Sequence, residues 1–440
     1  MIKKIQTIYL LIIMIIPNIT QANIEILEYE TKNGIKVLYS QSENIPMIDI
    51  KITFDAGSNR DATVKGLSMI THNLLDEGTS KMNSEEIASS FESTGAVFNT
   101  SVNKDKSSVS LRSLADKKYL EPSLKTFLNI LSDSIFPQHE VSLQKERTIS
   151  SIIEDESDPS DISMNLFFKE VYKNYVYGTP TIGEKNAIKK ISRKDVLNFY
   201  RNNLNHMNAK IAIVSSLPKK DIILLSEKIS KSLERENIKK RENIVPLKKN
   251  NKKNYVYKKI NSEQAHIYIG GMSIKRGSEN HLPLYVGNYI FGGSGFSARL
   301  MQELRVKRGY TYGVYSYIYP MKDIGPFVIG IETKSEQAQV SIQLIQKMLK
   351  EFCENGPSSE EIKHAKEAII NGFPLRVDSN SDILNYLSMI NYYDLPLDYL
   401  DKFTENISRI TKKDIITAFQ EEIDYKNLTT LVVGNEKAKK

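Results

Sequence analysis

The sequence predicts an α+β protein built from two copies of one unit. Two observations carry this: strand and helix periodicities occur side by side along the chain, and one helix-then-strand segment recurs about half a chain further on. Strand periodicity is clearest in IDIKITFDAG (Ile48 to Gly57), where Ile48, Ile50, Ile52 and Phe54 alternate with polar residues as on a half-buried strand. Helical spacing is clearest in ADKKYLEPSLKTFLNILSDSIF, through Leu120, Leu124, Phe127 and Leu131. The recurring segment reads ISRKDVLNFYRNN from Ile191 and ITKKDIITAFQEE from Ile410. Each copy runs into a strand, KIAIVSS from Lys210 and LTTLVVGN from Leu428. The expected domains are 23–235 and 260–440.

Between them, 236–259 falls in a stretch rich in Lys, Asn and Glu that carries Pro246 and reads as an exposed linker, with Tyr255 to Tyr257 able to form a strand. Residues 1–22 combine Lys3 and Lys4, an apolar run from Ile8 to Ile16 and the small-residue end Thr20-Gln21-Ala22. That is the pattern of a cleaved signal peptide, and the apolar run is short for a bilayer span. Export to the periplasm of a Gram-negative bacterium is the expectation, with no stable membrane span after cleavage.

A chain of 440 residues exceeds what one core serves, and 40% hydrophobic with 26% charged residues excludes a disordered or polytopic membrane protein. The single cysteine, Cys353, excludes an internal disulfide and any Cys-rich metal site. The net charge of +7 is spread over 60 basic and 53 acidic residues, which is not the footprint of a nucleic-acid binder. Gly292, Gly293 and Gly295 precede a helix, but no Lys-Ser/Thr follows to make a phosphate loop.

Three segments, in this order, resemble the M16 zinc peptidase family: Gly66 to Leu111, Phe291 to Tyr317 and Gly325 to Ile345. The resemblance spans nearly the whole mature chain. It implies two homologous domains, each a mostly antiparallel sheet with helices packed on one face. The family's zinc site is an inverted His-x-x-Glu-His on a helix, whose spacing sets two ligands and the general base on one face. Matched through Gly66, Gly78 and Thr79, those places hold Met69, His72 and Asn73. A thioether and an amide are poor zinc ligands, and an imidazole in place of the Glu cannot serve as the expected base. The remaining ligand place falls at Ser151, or at Ile153 with a two-residue shift, with Glu154 and Glu156 nearby. His72 beside Asp76 and Glu77 reads as a histidine hydrogen-bonded to Asp76.

The second-domain signature is intact: the family's Arg and Tyr match Arg305 and Tyr312. The resemblance implies that these contact a substrate carbonyl, Tyr312 donating to the developing oxyanion. The family's substrate-edge strand matches Ala96 to Arg112, represented by Ala96, Phe98 and Asn99. The implied protein is a pseudo-peptidase that binds no metal itself. It works on peptides or unfolded protein as the noncatalytic subunit of a heterodimer with a homologous zinc-bearing subunit. A peptide-binding scaffold, and a peptidase active alone through unrecognised ligands, are the alternatives.

Overall fold

The structure, a computed structural model, describes residues 24–42, 45–236, 238 and 244–439. The expected signal peptide and part of the expected linker lie outside the described residues.

Six strands form the first sheet: β1 (Leu27–Glu30), β2 (Lys36–Gln41), β3 (Met47–Phe54), β4 (Val97–Val102), β5 (Ser107–Leu114) and β6 (Ala209–Ser215), in the order β1-β2-β6-β3-β5-β4. Five form the second: β7 (Asn254–Lys259), β8 (Gln264–Met272), β9 (Thr311–Ile318), β10 (Pro326–Lys334) and β11 (Thr429–Gly434), in the order β7-β11-β8-β10-β9. Without β1, the two orders superpose strand for strand. Each has one parallel pair, β2 with β6 and β7 with β11, and is otherwise antiparallel.

The recurrence in sequence therefore marks a recurrence in topology, and its opening residues have a local cause. Ser192 caps the helix Arg193–Asn203 with Asp195 reaching back to the cap, and Thr411 with Asp414 repeats this box on Lys412–Glu422. The helix Lys117–Asp133 buries Leu120, Leu124, Phe127 and Leu131 as its spacing requires.

The strand anticipated at Tyr255 to Tyr257 is present and runs further in both directions. Residues 254–259 are β7, hydrogen-bonded along β11, so the second sheet begins inside the stretch assigned to the linker. Lys-rich composition is also what an edge strand carries.

A second difference concerns which faces are covered. Each sheet has helices of its own half on one face, and on the other face a helix from the opposite half. Pro159–Val171 lies on β8 and β11, and Asn380–Tyr392 lies on β2, β3 and β6. This is why Asp49 and Thr53 on β3 are as buried as the apolar residues between them, although the alternation predicts one wet face. The helix Asn380–Tyr392 meets the first sheet through an apolar patch, in which Leu384, Leu387 and Ile390 share a cluster with Leu38, Ala212 and Val214, and through polar contacts: Ser388 to Thr53 (2.8 Å), Asn385 from Lys51 (2.9 Å), and Asn391 Nδ2 to the Ile211 carbonyl (2.8 Å). The contact of Pro159–Val171 is apolar, with Phe167 fully buried against Tyr268. Gly270 makes room there: a Cβ at that position would lie 2.1 Å from the Phe327 carbonyl oxygen and 2.9 Å from Phe167 Cζ.

Asp105, in the β4–β5 turn, ties the halves at one buried point. Its carboxylate accepts from the Tyr177 hydroxyl, the Lys322 N–H (2.7 Å) and the Tyr393 hydroxyl (3.1 Å), while its carbonyl accepts from Tyr392 (2.8 Å). Among the described residues no helix is long and apolar enough to cross a membrane.

Phe167→Ala should lower stability by about 3–5 kcal/mol, the range for a large buried aromatic. Urea unfolding followed by circular dichroism checks this. A loss below about 1 kcal/mol would show that the exchanged helix is not seated as described.

Candidate functional site

The helix Leu67–Asn73 stands where the resemblance places the metal motif. Its N-terminus is held by Asp61, whose two carboxylate oxygens each accept a backbone N–H at 2.8 Å, from Gly66 and Ser68. Burial pushes the Asp61 carboxyl up to about 6 although both N–H groups pull it the other way. Gly66 sits at φ +93°, packed so closely that a Cβ would meet Ile188 and the Ile182 carbonyl.

The three motif positions then diverge. Met69 is half-buried, His72 is fully buried and Asn73 is exposed. His72 is not bonded to Asp76, as the sequence suggested. Its Nδ1 pairs with the Ser68 carbonyl at 2.8 Å, one turn back, and its ring packs edge-on toward Phe199 with centroids 6.5 Å apart. Its Nε2 is buried with no hydrogen-bond partner. Burial, opposed only by the Ser68 carbonyl, lowers its pKa to about 4. A neutral ring turned into the core is the outcome.

The helix Gln138–Asp155 carries the remaining ligand place. Its buried face is Val141, Gln144, Thr148 and Ile152, none of them a carboxylate. Ser151 and Ile153 are both exposed, Ser151 donating to the Arg147 carbonyl at 3.3 Å, and Glu154 and Glu156 are exposed as well. Among the described residues no three His, Cys, Asp or Glu side chains are grouped as a metal would need. A thioether, an amide and one buried imidazole do not fit the donor set of a catalytic zinc.

The edge-strand match divides. β4 pairs only with β5, so its outer edge is open. Asn99 is exposed on it, and Phe98 is half-buried and stacks on Phe91 at 5.6 Å. Ala96 precedes the strand and is buried, its N–H bonded to the Phe91 carbonyl, so it belongs to the turn rather than the edge.

Arg305 and Tyr312 are brought together. The helical segment Arg299–Met301 continues as a wide π-turn over Gln302–Val306, a feature common at functional sites, and Arg305 stands on it. Its Nη1 donates to the Tyr312 carbonyl at 2.5 Å, and its guanidinium lies 4.4 Å from the Phe296 ring centroid. Tyr312, on β9 at the open edge of the second sheet, is 85% exposed, and its hydroxyl makes no hydrogen bond among the described residues. Arg305 thus fixes the backbone from which the Tyr312 ring projects. Phe296 went unnoticed in the sequence; an aromatic inside a glycine-rich turn, with no periodic partner to pack on, was the available signal.

The chain is similar to known proteins along most of its length. Residues 36–185 match the family model described as insulinase (peptidase family M16), and residues 190–369 match the peptidase M16 inactive domain. A Helicobacter pylori protein named non-peptidase homolog YmxG is 26% identical over 92% of this chain and 93% of its own. A Bacillus subtilis protein named uncharacterized zinc protease YmxG is 26% identical over 80% of this chain and 85% of its own. Among solved structures, a peptidase M16 inactive domain from Pseudomonas fluorescens aligns with TM-score 0.89 at 28% identity, covering 93% of this chain and 98% of that one.

The buried His72 makes stability depend on pH. Its folded pKa lies below the unfolded value of 6.5, so its contribution is fully present above 6.5 and is lost as pH falls toward 4. The full difference is worth about 3 kcal/mol. His72→Leu should shallow the loss of unfolding free energy over that window by one proton, as read from denaturant midpoints at stepped pH. An unchanged slope would place the ring in water.

Proposed function

The chain belongs to the M16 peptidase family, and from that premise we propose that it is the noncatalytic subunit of a periplasmic heterodimeric zinc peptidase. It binds peptide substrate and completes the active site of a homologous chain that carries the zinc, holding no metal itself. The observation that carries this reading is the contrast between two sites. Met69, His72 and Asn73 cannot form the metal centre, while Tyr312 stands clear of its own fold with its hydroxyl free and its backbone fixed by Arg305. A strand tyrosine kept only for packing would bury its ring, as Tyr268 does. The names of the Helicobacter pylori relative and the Pseudomonas fluorescens neighbour, a non-peptidase homolog and an inactive domain, support the loss of autonomous activity.

Chemically, attack of a zinc-activated water on a peptide carbonyl builds negative charge on the oxygen. A neutral phenol donates a hydrogen bond to that oxygen without a proton having to move, and this helps most where charge develops. Substrate would join the open edge of a sheet as an added strand, so that backbone hydrogen bonds supply affinity with little dependence on sequence.

The second reading, a periplasmic peptide-binding scaffold without a part in catalysis, is favoured by one observation. The Arg305 guanidinium is already engaged by the Tyr312 carbonyl and the Phe296 ring, as a purely structural arginine would be.

Co-expression with a zinc-bearing homologue followed by peptide cleavage separates the two. Tyr312→Phe in the complex should lower kcat by about 10²-fold with little change in KM, the typical effect of losing one oxyanion donor. An unaltered rate in a complex that cleaves peptides would leave only the scaffold reading.

A further inference from the structure

Partly buried cations of this chain are otherwise held by an acid, as Arg60 by Asp55 (2.7 Å), Arg112 by Asp49 (2.6 Å) and Arg299 by Glu361 (2.6 Å), or by backbone carbonyls, as Lys104 by Thr179 (2.7 Å) and Arg193 by Ile135 and Phe136 (2.7 Å each). Three partly buried cations at the junction of the two halves have neither an ion pair nor a backbone carbonyl partner among the described residues: Lys51 on β3, Lys106 just before β5, and Arg276 in the turn after β8.

Lys51 Nζ donates only to the neutral Asn385 Oδ1, at 2.9 Å. Lys106 Nζ lies over the rings of Tyr392 and Tyr393, at 5.1 and 5.3 Å. The Arg276 guanidinium lies 5.5 Å from the Tyr393 centroid, and its Nε is buried with no hydrogen-bond partner. Asp105 adjoins Lys106 in sequence, but its carboxylate is taken by Tyr177, Tyr393 and the Lys322 N–H. Lys322 itself serves Asp55. Burial, then Lys51, then Arg276 hold Lys106 down at about 8, with Asp105 the small opposing influence. Lys106 is repelled by both Lys51 and Arg276 and shares the Tyr393 ring with Arg276, whose Nε has no partner, which leaves the charge balance of this junction open on the anionic side.

We propose that Lys51, Lys106 and Arg276 form an anion site that takes a carboxylate, supplied by an acidic side chain or the C-terminus of a bound peptide. A planar carboxylate suits the guanidinium fork and the two ammonium groups together. The register indicates the route. Lys51 faces Ser110 across β3 and β5, and Ser110 faces Asn99 across β5 and β4, so the three share one row on one sheet face. That row runs from the site to the open edge over about 10 Å, roughly three residues of extended chain. A peptide added at β4 and turned across this face reaches the cations. The site stands on the contacts above; only its supply by a peptide rests on the proposed function.

The test uses the full chain. Sodium glutarate, compared with sodium chloride at equal ionic strength, should raise the unfolding temperature of the wild type and leave Lys106→Met unmoved. Without the anion, Lys106→Met should unfold at a higher temperature than the wild type, because it removes an unpaired, partly buried charge; a merely structural lysine gives the opposite sign. Arg276→Gln, which should also lose the glutarate effect, keeps the test readable should the first variant not fold. Two labelled peptides differing only as Glu against Gln, titrated by fluorescence anisotropy, identify the source. The wild type should favour Glu by about tenfold, the equivalent of one charge-assisted hydrogen bond, and Lys106→Met should not. Equal stabilisation of the wild type by glutarate and chloride overturns the site. Glutarate stabilisation with equal affinity for both peptides keeps the site and overturns the peptide as its source. Glutarate stabilisation with neither peptide bound counts against peptide binding by this chain altogether.

Discussion

The exchange of one helix between the two halves is the constraint on which the rest of this structure depends. A sheet with helices on one face leaves the other face to be covered, and here each half covers the other's: Pro159–Val171 on β8 and β11, and Asn380–Tyr392 on β2, β3 and β6. The two contacts differ in chemistry. One is an aromatic core around Phe167, Tyr172 and Tyr268; the other joins an aliphatic patch, Leu384, Leu387 and Ile390 with Leu38, Ala212 and Val214, to Ser, Asn and Lys side chains paired across the interface. Apolar burial supplies cohesion without direction, whereas paired polar groups fix angle and register because a displaced partner is left unsatisfied. Asp105 adds the same kind of constraint at a single point, since four donors from both halves converge on one residue. The orientation of the second sheet's open edge, with Tyr312 on it, follows from these contacts.

Contacts of the same kind hold the short helix Leu67–Asn73. Asp61 satisfies two of the N-terminal N–H groups, Gly66 allows the close approach of the 182–188 segment, and the His72 ring fills core space beside Phe199. The His72 imidazole is a packing residue, and burial lowers its pKa.

Much of this was legible along the chain because it rests on local rules. The helix-then-strand repeat from Ile191 and Ile410, the strand through Ile48 to Phe54 and the helical stripe from Leu120 to Leu131 are each set within a few residues, and the elements form where the patterns put them. The misread points are those at which a distant element intervenes. Tyr255 to Tyr257 read only as able to form a strand until β11 pairs along Asn254–Lys259, and Asp49 and Thr53 read as solvent-facing until Asn380–Tyr392 lies on them. His72 reads as the partner of Asp76 because sequence gives the one-turn spacing but not which face of the helix meets Phe199.

The sequence by itself determined the α+β character, the doubling of the unit, the residue types at the metal positions and the presence of Arg305 and Tyr312, because composition, periodicity and spacing are properties of neighbours along the chain. Tertiary structure alone decided that His72 turns inward, that Arg305 holds the Tyr312 backbone rather than pointing free, and that Lys51, Lys106 and Arg276 meet without an acid between them. Those outcomes depend on burial and on charges brought together from segments far apart in sequence, and a free energy of desolvation or repulsion exists only once the groups share the same space.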